Sequence, residues 1–169
     1  NLISDKTIPT DRTTPDALTV QRLLAQMVDA GCTYAVMEVS SHALMQSRVE
    51  GIRFHVGVFT NLTQDHLDYH GTMEAYCDAK SRLFDQCDIA CVNGDDAWTE
   101  RLLARFTSER ITFGQGMTND LVGWRARYEN DCVRFTACTD VDHEETRIGI
   151  PGGFSLYNAL AALCAVQAL

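Results

Sequence analysis

The sequence predicts an α/β domain in which a mostly parallel sheet is flanked by helices and extended by a small antiparallel β addition. Two observations support the parallel part: short apolar, β-branched runs alternate with amphipathic helical segments, and polar side chains follow the ends of these runs. The third is a change of pattern at Gly123, after which short β-prone runs are separated only by polar turns. A chain of 169 residues with 46% hydrophobic side chains is long enough for one domain with a core.

The first predicted elements are a helix and the strand that follows it. Thr14 can cap the helix with Pro15 at its first position, and apolar residues recur on one face until Gly31 ends it. The apolar run at residues 34–39 then predicts a strand.

Two more pairs of strand and helix follow. Residues 52–62 contain a strand, and Thr72 can cap a helix that carries Lys80. Residues 88–92 predict a third strand, and residues 93–96 combine turn chemistry with a cap for another helix. Strands that alternate with helices in this way imply parallel pairing through right-handed crossovers.

The last part of the chain predicts a meander and a helix. Short β-prone runs lie at residues 124–128, 132–138 and 146–150. We therefore divide residues 1–169 into an α/β part at 1–122, an antiparallel meander at 123–150 and a helix at 151–169. Because the chain opens on Asn and stops inside a helical pattern, we expect a partial domain of a longer protein.

Charge and cysteine content narrow the class of protein. A net charge of -9 argues against nucleic acid or an anionic membrane as the main partner, because both are bound through Lys and Arg. The seven cysteines are an odd number without a C-x-x-C pair, which favours reduced thiols over a disulfide framework. No apolar run is long enough to span a bilayer and no secretory leader opens the chain, so we expect a cytoplasmic protein.

The first polar block begins at Glu38, which follows an apolar run and precedes Ser40, Ser41 and His42. A carboxylate in this place can coordinate Mg²⁺, and the hydroxyls suit a polar or anionic substrate. The same residues equally fit a structural role, in which the serines cap a helix and Glu38 pairs with an arginine.

A second block places His66, Asp68 and His70 within five positions. Imidazole and carboxylate groups at this spacing are compatible with a zinc-dependent hydrolase that activates a water molecule. A polar loop that leads into a helix cap explains the same residues without a metal, and the spacing alone leaves both interpretations open.

The remaining candidates are weak individually. Lys80 lies two turns into its predicted helix, where most lysines are solvated. The segments around Thr14 and around residues 46–48 offer hydroxyl, amide and guanidinium donors suited to an anion, although such residues are also common as caps and surface charges. The chain contains neither a G-x-x-x-x-G-K-[ST] phosphate loop nor a G-x-S-x-G nucleophile elbow.

Taken together, these motifs resemble the central domain of the Mur ligases. The matching segments follow the family order over essentially the whole chain: Thr13-Thr14-Pro15, Glu38-Val39-Ser40-Ser41-His42, Gln46-Ser47-Arg48, residues 60–71, Ala79-Lys80 and Asn93-Gly94-Asp95-Asp96. The Glu-Val-Ser-Ser-His block is similar to the branch of the family that adds the third peptide residue of peptidoglycan.

The resemblance implies an ATP-dependent ligase with Mg²⁺ that joins a diamino acid, meso-diaminopimelate or L-lysine, to UDP-N-acetylmuramoyl-L-alanyl-D-glutamate through an acyl phosphate. It implies a catalytic metal site formed by Glu38, His66 and a carbamylated Lys80. It implies substrate binding by a set of polar side chains: Thr13, Thr14, Ser40, Gln46 and Arg48. Asn158 matches the second Asn of the F-N-x-x-N segment near the nucleotide, and Ser155 departs from that pattern.

The resemblance also places the nucleotide-binding P-loop strand upstream of residue 1. Residues 1–169 alone are therefore expected to lack ligase activity. A zinc-dependent hydrolase that uses His66, Asp68 and His70 is the alternative function.

Overall fold

The structure, a computed structural model, describes residues 2–3 and 6–169. The chain divides into two compact units. The first combines Asn1–Ile52 with His66–Leu83, and the second combines Arg53–Asp65 with Phe84–Leu169.

The first unit is mainly helical. A short antiparallel pair, β1 (Leu2–Ile3) and β2 (Lys6–Thr7), precedes four helices: α1 (Ala17–Asp29), α2 (Ser41–Met45), α3 (Leu67–His70) and α4 (Met73–Ser81). Thr72 caps α4 as predicted, since its side chain accepts a hydrogen bond from the Ala75 N–H. Helix α2 packs against α4, which brings two polar segments distant in sequence into one unit.

The predicted start of the first helix is wrong by two residues. Asp16, not Thr14, is the N-cap of α1, and its carboxylate accepts hydrogen bonds from the Thr19 N–H at 3.0 Å and the Thr19 hydroxyl at 2.8 Å. A carboxylate satisfies both donors and favours the positive end of the helix dipole. Thr14 is only 1% exposed, and its hydroxyl binds elsewhere.

The predicted strand at residues 34–39 is not formed. The segment is irregular, and no strand pairs with it in the part of the chain that the structure describes. Tyr34 is 68% exposed and Val36 is 95% exposed. The apolar residues of this segment favour an extended strand, but a strand forms only where a neighbouring strand satisfies its backbone N–H and C=O groups.

The second unit contains a sheet of six strands in the order β3 (Phe54–Phe59), β4 (Cys87–Asn93), β5 (Glu109–Gly114), β6 (Leu121–Tyr128), β7 (Val133–Cys138) and β8 (His143–Ile148). Strands β3 to β6 pair in parallel, and β7 and β8 continue the sheet antiparallel. This confirms the predicted fold class. Strand β5 was missed because its first residues, Glu109 and Arg110, are charged and break the apolar pattern.

Helix α6 (Gly153–Gln167) packs on the sheet and completes the core of this unit. Its buried residues Leu156 and Leu160 pack in one cluster with Phe113 and Phe135 of the sheet. A Cβ at Gly123 would lie 2.9 Å from Leu160 Cδ1, so a larger residue here would require the Leu160 side chain to shift. A short helix α5 (Thr99–Leu102) and a 3₁₀ turn at Phe84–Gln86 complete the unit. Across the described residues, no helix is long and apolar enough to cross a membrane.

Candidate active site

Thr14 fixes the segment that carries Glu38 and Ser40. Its hydroxyl donates to the Glu38 carbonyl oxygen at 2.9 Å and accepts from the Ser40 N–H at 3.0 Å. Ser40 in turn caps α2, where its side chain accepts from the Ala43 N–H at 3.2 Å. The buried Thr14 hydroxyl therefore satisfies two backbone groups that a neighbouring strand would otherwise bind. It fixes the backbone between Glu38 and the start of α2.

Two predicted substrate-binding side chains, Gln46 and Arg48, contact each other, and Arg48 also contacts Thr14. Arg48 donates from Nη1 to the Thr14 carbonyl oxygen at 2.9 Å and from Nε to Gln46 Oε1 at 3.0 Å. Ser47 between them has a φ of 53°, which a non-glycine residue adopts at a cost. This backbone turn accompanies a hydrogen bond between two side chains that are only two residues apart.

Aromatic rings connect this group to the second polar block. The ring centroid of His42 lies 4.2 Å from that of Tyr69 and 5.0 Å from that of His66. The Tyr69 hydroxyl lies 3.5 Å from Gln46 Nε2. Residues predicted for substrate and residues predicted for metal therefore belong to one continuous network within the first unit.

His70 has a structural role in this network. Its Nε2 lies 2.9 Å from the Ser41 hydroxyl, and its ring stacks on Tyr76 with centroids 4.9 Å apart. Burial lowers the pKa of His70, and positive charge on His42 and His66 lowers it further. The neutral imidazole and its bond to Ser41 fix the start of α2 to the end of α3.

His66 and Lys80 approach the same aromatic ring. The Lys80 Nζ lies 5.1 Å from the centroid of the Tyr76 ring, and the His66 ring meets Tyr76 edge-on at 5.9 Å between centroids. His66 has a φ of 53° and precedes α3 without a side-chain capping bond. His66 therefore adopts a left-handed backbone conformation that non-glycine residues adopt at a cost.

The zinc interpretation finds no support in this geometry. The ligand atoms of His66, Asp68 and His70 do not all lie within 4.8 Å of one another. Among the described residues, the three side chains whose ligand atoms do lie this close together are Glu129, Asp131 and Cys132. These three residues lie in the turn between β6 and β7. Asp131 forms an ion pair with Arg147, and the Cys132 thiol donates a hydrogen bond to Glu129 at 3.2 Å.

In the second unit, side chains organise the loops at the carboxyl ends of β3 and β4. Asn93 Nδ2 donates to the Thr60 carbonyl oxygen at 2.8 Å, and Asp96 accepts from the Leu62 N–H at 2.9 Å. The turn predicted at residues 93–96 is therefore also a clamp. It fixes the chain that leaves β3 toward the second polar block.

Asp95 is the most heavily bonded carboxylate of that turn. It accepts from the N–H groups of Gln115 and Gly116, from Asn119 Nδ2 at 2.9 Å and from the Tyr157 hydroxyl at 3.0 Å. Burial opposes ionisation of Asp95, but these hydrogen bonds outweigh it and lower its pKa. Burial and the negative charge of Asp95 raise the pKa of Tyr157 to about 12.

The predicted nucleotide contact, Asn158, is exposed on α6 in the second unit, next to Tyr157. Ser155, where the family pattern has Asn, is 3% exposed and its hydroxyl donates to the Pro151 carbonyl oxygen at 3.2 Å. The serine that stands in place of the family's Asn therefore forms a hydrogen bond at the start of α6. Thr13, also predicted for substrate, is exposed before α1.

The structure gives specific contacts to four residues to which the sequence assigned no role of their own: His42, Tyr69, Tyr76 and Asp95. The contact between Tyr76 and Lys80 could be predicted from the sequence, because the two residues are four positions apart and so lie on the same helix face. The contacts of His42 and Tyr69 join segments about 25 residues apart, which no local pattern encodes.

Comparison with known proteins gives a consistent result. The family model described as Mur ligase middle domain matches residues 2–166. The UDP-N-acetylmuramoyl-L-alanyl-D-glutamate--2,6-diaminopimelate ligase of Gloeobacter violaceus is 47% identical over 160 residues, which cover 93% of this chain and 32% of that protein. Ligase 1 of the same name from Clostridium acetobutylicum is 42% identical over 165 residues, covering 98% and 34%.

A solved structure of a UDP-N-acetylmuramoyl-L-alanyl-D-glutamate--2,6-diaminopimelate ligase superimposes with a TM-score of 0.84 at 32% identity. The match covers 92% of this chain and 33% of that one. The chain thus spans about a third of the length of the relatives that it matches. Motif order, fold and family model agree, and the chain belongs to the Mur ligase family, whose middle domain it matches from residue 2 to residue 166.

Proposed function

We propose that this chain is part of a MurE-type ligase that uses ATP and Mg²⁺ to join a diamino acid to UDP-N-acetylmuramoyl-L-alanyl-D-glutamate. The observation that carries the proposal is the network in the first unit, where Arg48 and Gln46 connect through Tyr69 and His42 to His66. A site that must hold an anionic substrate beside a metal-assisted phosphoryl transfer needs these two groups of side chains together.

The proposed substrate site uses the pairing of Gln46 and Arg48. A guanidinium held by Gln46 and by the Thr14 carbonyl is oriented before any ligand arrives, which reduces the entropic cost of binding an anion. The exposed Thr13 and the half-buried Ser40 offer further hydroxyl groups. This part of the site binds and positions the substrate carboxylate and does not itself transfer a proton.

The donor set fits Mg²⁺ held mainly through phosphate oxygens. Glu38 offers a hard carboxylate oxygen, whereas His66 and an unmodified Lys80 are poor ligands for this ion. In the proposed site the neutral amine of Lys80 adds to the carbon of CO₂ and releases a proton, which gives a carbamate with two oxygen donors. Bound Mg²⁺ would neutralise charge on the transferring phosphoryl group.

The proposed metal ligands are Glu38, His66 and the carbamate of Lys80, and water and phosphate oxygens would complete an octahedral Mg²⁺ shell. Asn158 is proposed to contact the nucleotide. None of the seven cysteines forms a disulfide bond, and we therefore propose that the reaction takes place in the reducing cytoplasm.

The test uses the full-length protein with ATP, Mg²⁺, UDP-N-acetylmuramoyl-L-alanyl-D-glutamate and each diamino acid separately. We expect release of ADP and phosphate coupled to formation of the tripeptide product. Lys80→Ala should abolish ligation, and added short-chain carboxylates should partly restore it by supplying the missing oxygen donors. Near-normal turnover by Lys80→Ala, or a wild-type enzyme that hydrolyses amides with bound zinc and no ATP, would refute the proposal.

A further inference from the structure

Tyr76 is the common neighbour of the chemically active side chains in the first unit. It is 7% exposed on α4, and its ring has His66, His70 and Lys80 around it. Three of its neighbours carry nitrogen atoms, and two of those three are proposed metal ligands.

The three contacts differ in geometry. His70 stacks on the ring with an interplanar angle of 17°, and His66 meets it nearly perpendicularly at 84°. The Lys80 Nζ lies 5.1 Å from the ring centroid. Because Lys80 follows Tyr76 by four residues on one helix face, the ring also limits where the lysine stem can lie.

The His70 ring that stacks on Tyr76 is itself held in place by a side chain of α2. His70 Nε2 lies 2.9 Å from the Ser41 hydroxyl, and Ser41 is 2% exposed at the start of α2. The stack of His70 on Tyr76 therefore transmits the position of α2 to α4. His66 has a left-handed backbone conformation and an exposed imidazole, and the rings of His42 and Tyr76 both contact that imidazole.

We infer that Tyr76 is a positioning residue: its ring sets the distance and direction of His66 relative to Lys80, and so prepares the two side chains to share one divalent cation. The inference rests on the proposed function. It assigns the role to the aromatic ring, so Tyr76→Phe should preserve it and an aliphatic side chain should not. Groups that hold ligand side chains in place commonly change metal affinity when they are replaced.

The test measures divalent cation binding in the full-length protein with ADP present, using Mn²⁺ as the probe and electron paramagnetic resonance to count unbound Mn²⁺. We expect Tyr76→Phe to keep the Mn²⁺ dissociation constant within about twofold of wild type. We expect Tyr76→Leu to raise it about tenfold or more, within the range seen when such supporting groups are replaced. Val20→Ala is the matched control, because Val20 is a 3% exposed residue of α1 with no place in this network.

A Tyr76→Leu protein that folds and binds Mn²⁺ as wild type does would overturn the inference, and so would an equal loss of affinity in Val20→Ala. If Tyr76→Leu does not fold, Tyr76→Met provides the same comparison, since an unbranched side chain fills irregular space. The proposed function fails separately, if the wild-type enzyme does not form the tripeptide product. Active wild type with unchanged Mn²⁺ binding in the aliphatic variants would refute only the role of Tyr76.

Discussion

Replacing Thr14 with valine tests whether a single buried hydroxyl sets the course of the segment that carries Glu38. Valine keeps the shape of threonine but removes one donor and one acceptor, so the Glu38 carbonyl and the Ser40 N–H lose their partner. Two net hydrogen bonds of about 0.5–1.5 kcal/mol each give a local destabilisation of about 1–3 kcal/mol.

This loss of local stability can be measured as faster hydrogen exchange at the Ser40 amide. If Ser40 exchanges through local opening, about 1–3 kcal/mol corresponds to exchange about 5- to 140-fold faster than in wild type, because every 1.4 kcal/mol is tenfold. Hydrogen exchange with mass spectrometry on a peptide that contains residues 38–42 of the full-length protein measures this rate. We also expect a lower kcat, since Glu38 would lose its fixed position.

Thr14→Ser is the control. It keeps both hydrogen bonds and removes one methyl group, worth about 0.8 kcal/mol, so exchange should rise only about fourfold. Equal exchange rates at Ser40 in the valine and serine variants would show that the hydroxyl does not hold this segment, and the account of the loop would be wrong.

Three further outcomes follow from the site. Arg48→Ala should raise the KM for the UDP-muramoyl substrate, whereas Glu38→Ala should mainly lower kcat; steady-state kinetics in which Arg48→Ala changes only kcat would contradict the assignment. Asp95 has a pKa below its ordinary value of 3.8, so its contribution to stability is present above that pH and is lost as pH falls through the lowered pKa. Asp95→Asn should therefore unfold in less urea than wild type at pH 7, with a smaller difference at pH 3; equal midpoints at pH 7 would refute it. Residues 1–169 without the rest of the protein should show no micromolar ATP binding by calorimetry, because they contain no phosphate loop.

The family and fold class were readable from the sequence because their signals are local. Alternating apolar runs predicted β3 and β4, polar turns predicted the meander of β6 to β8, and Thr72 predicted the cap of α4. The motif from Glu38 to His42, followed by the block at residues 60–71 and by Lys80, was specific enough to indicate the family.

The strand expected at residues 34–39 shows where local reasoning fails. Its residues have the composition of a strand, but pairing depends on a neighbour that no local pattern specifies. The same holds for the first helix cap, which the sequence pattern predicted at Thr14 and which the structure places at Asp16. Only the fold decided that the Thr14 hydroxyl binds residues 38 and 40.

The sequence by itself determined which chemical groups this protein carries and, through their order, the family to which they belong. The tertiary structure decided how these groups are held: Tyr76 between His66 and Lys80, His70 on Ser41, and Asp95 beneath Tyr157. The physical reason is range. Caps and amphipathic faces depend on residues a few positions apart, whereas ring stacking and hydrogen bonds between distant segments depend on packing that brings them within a few ångströms.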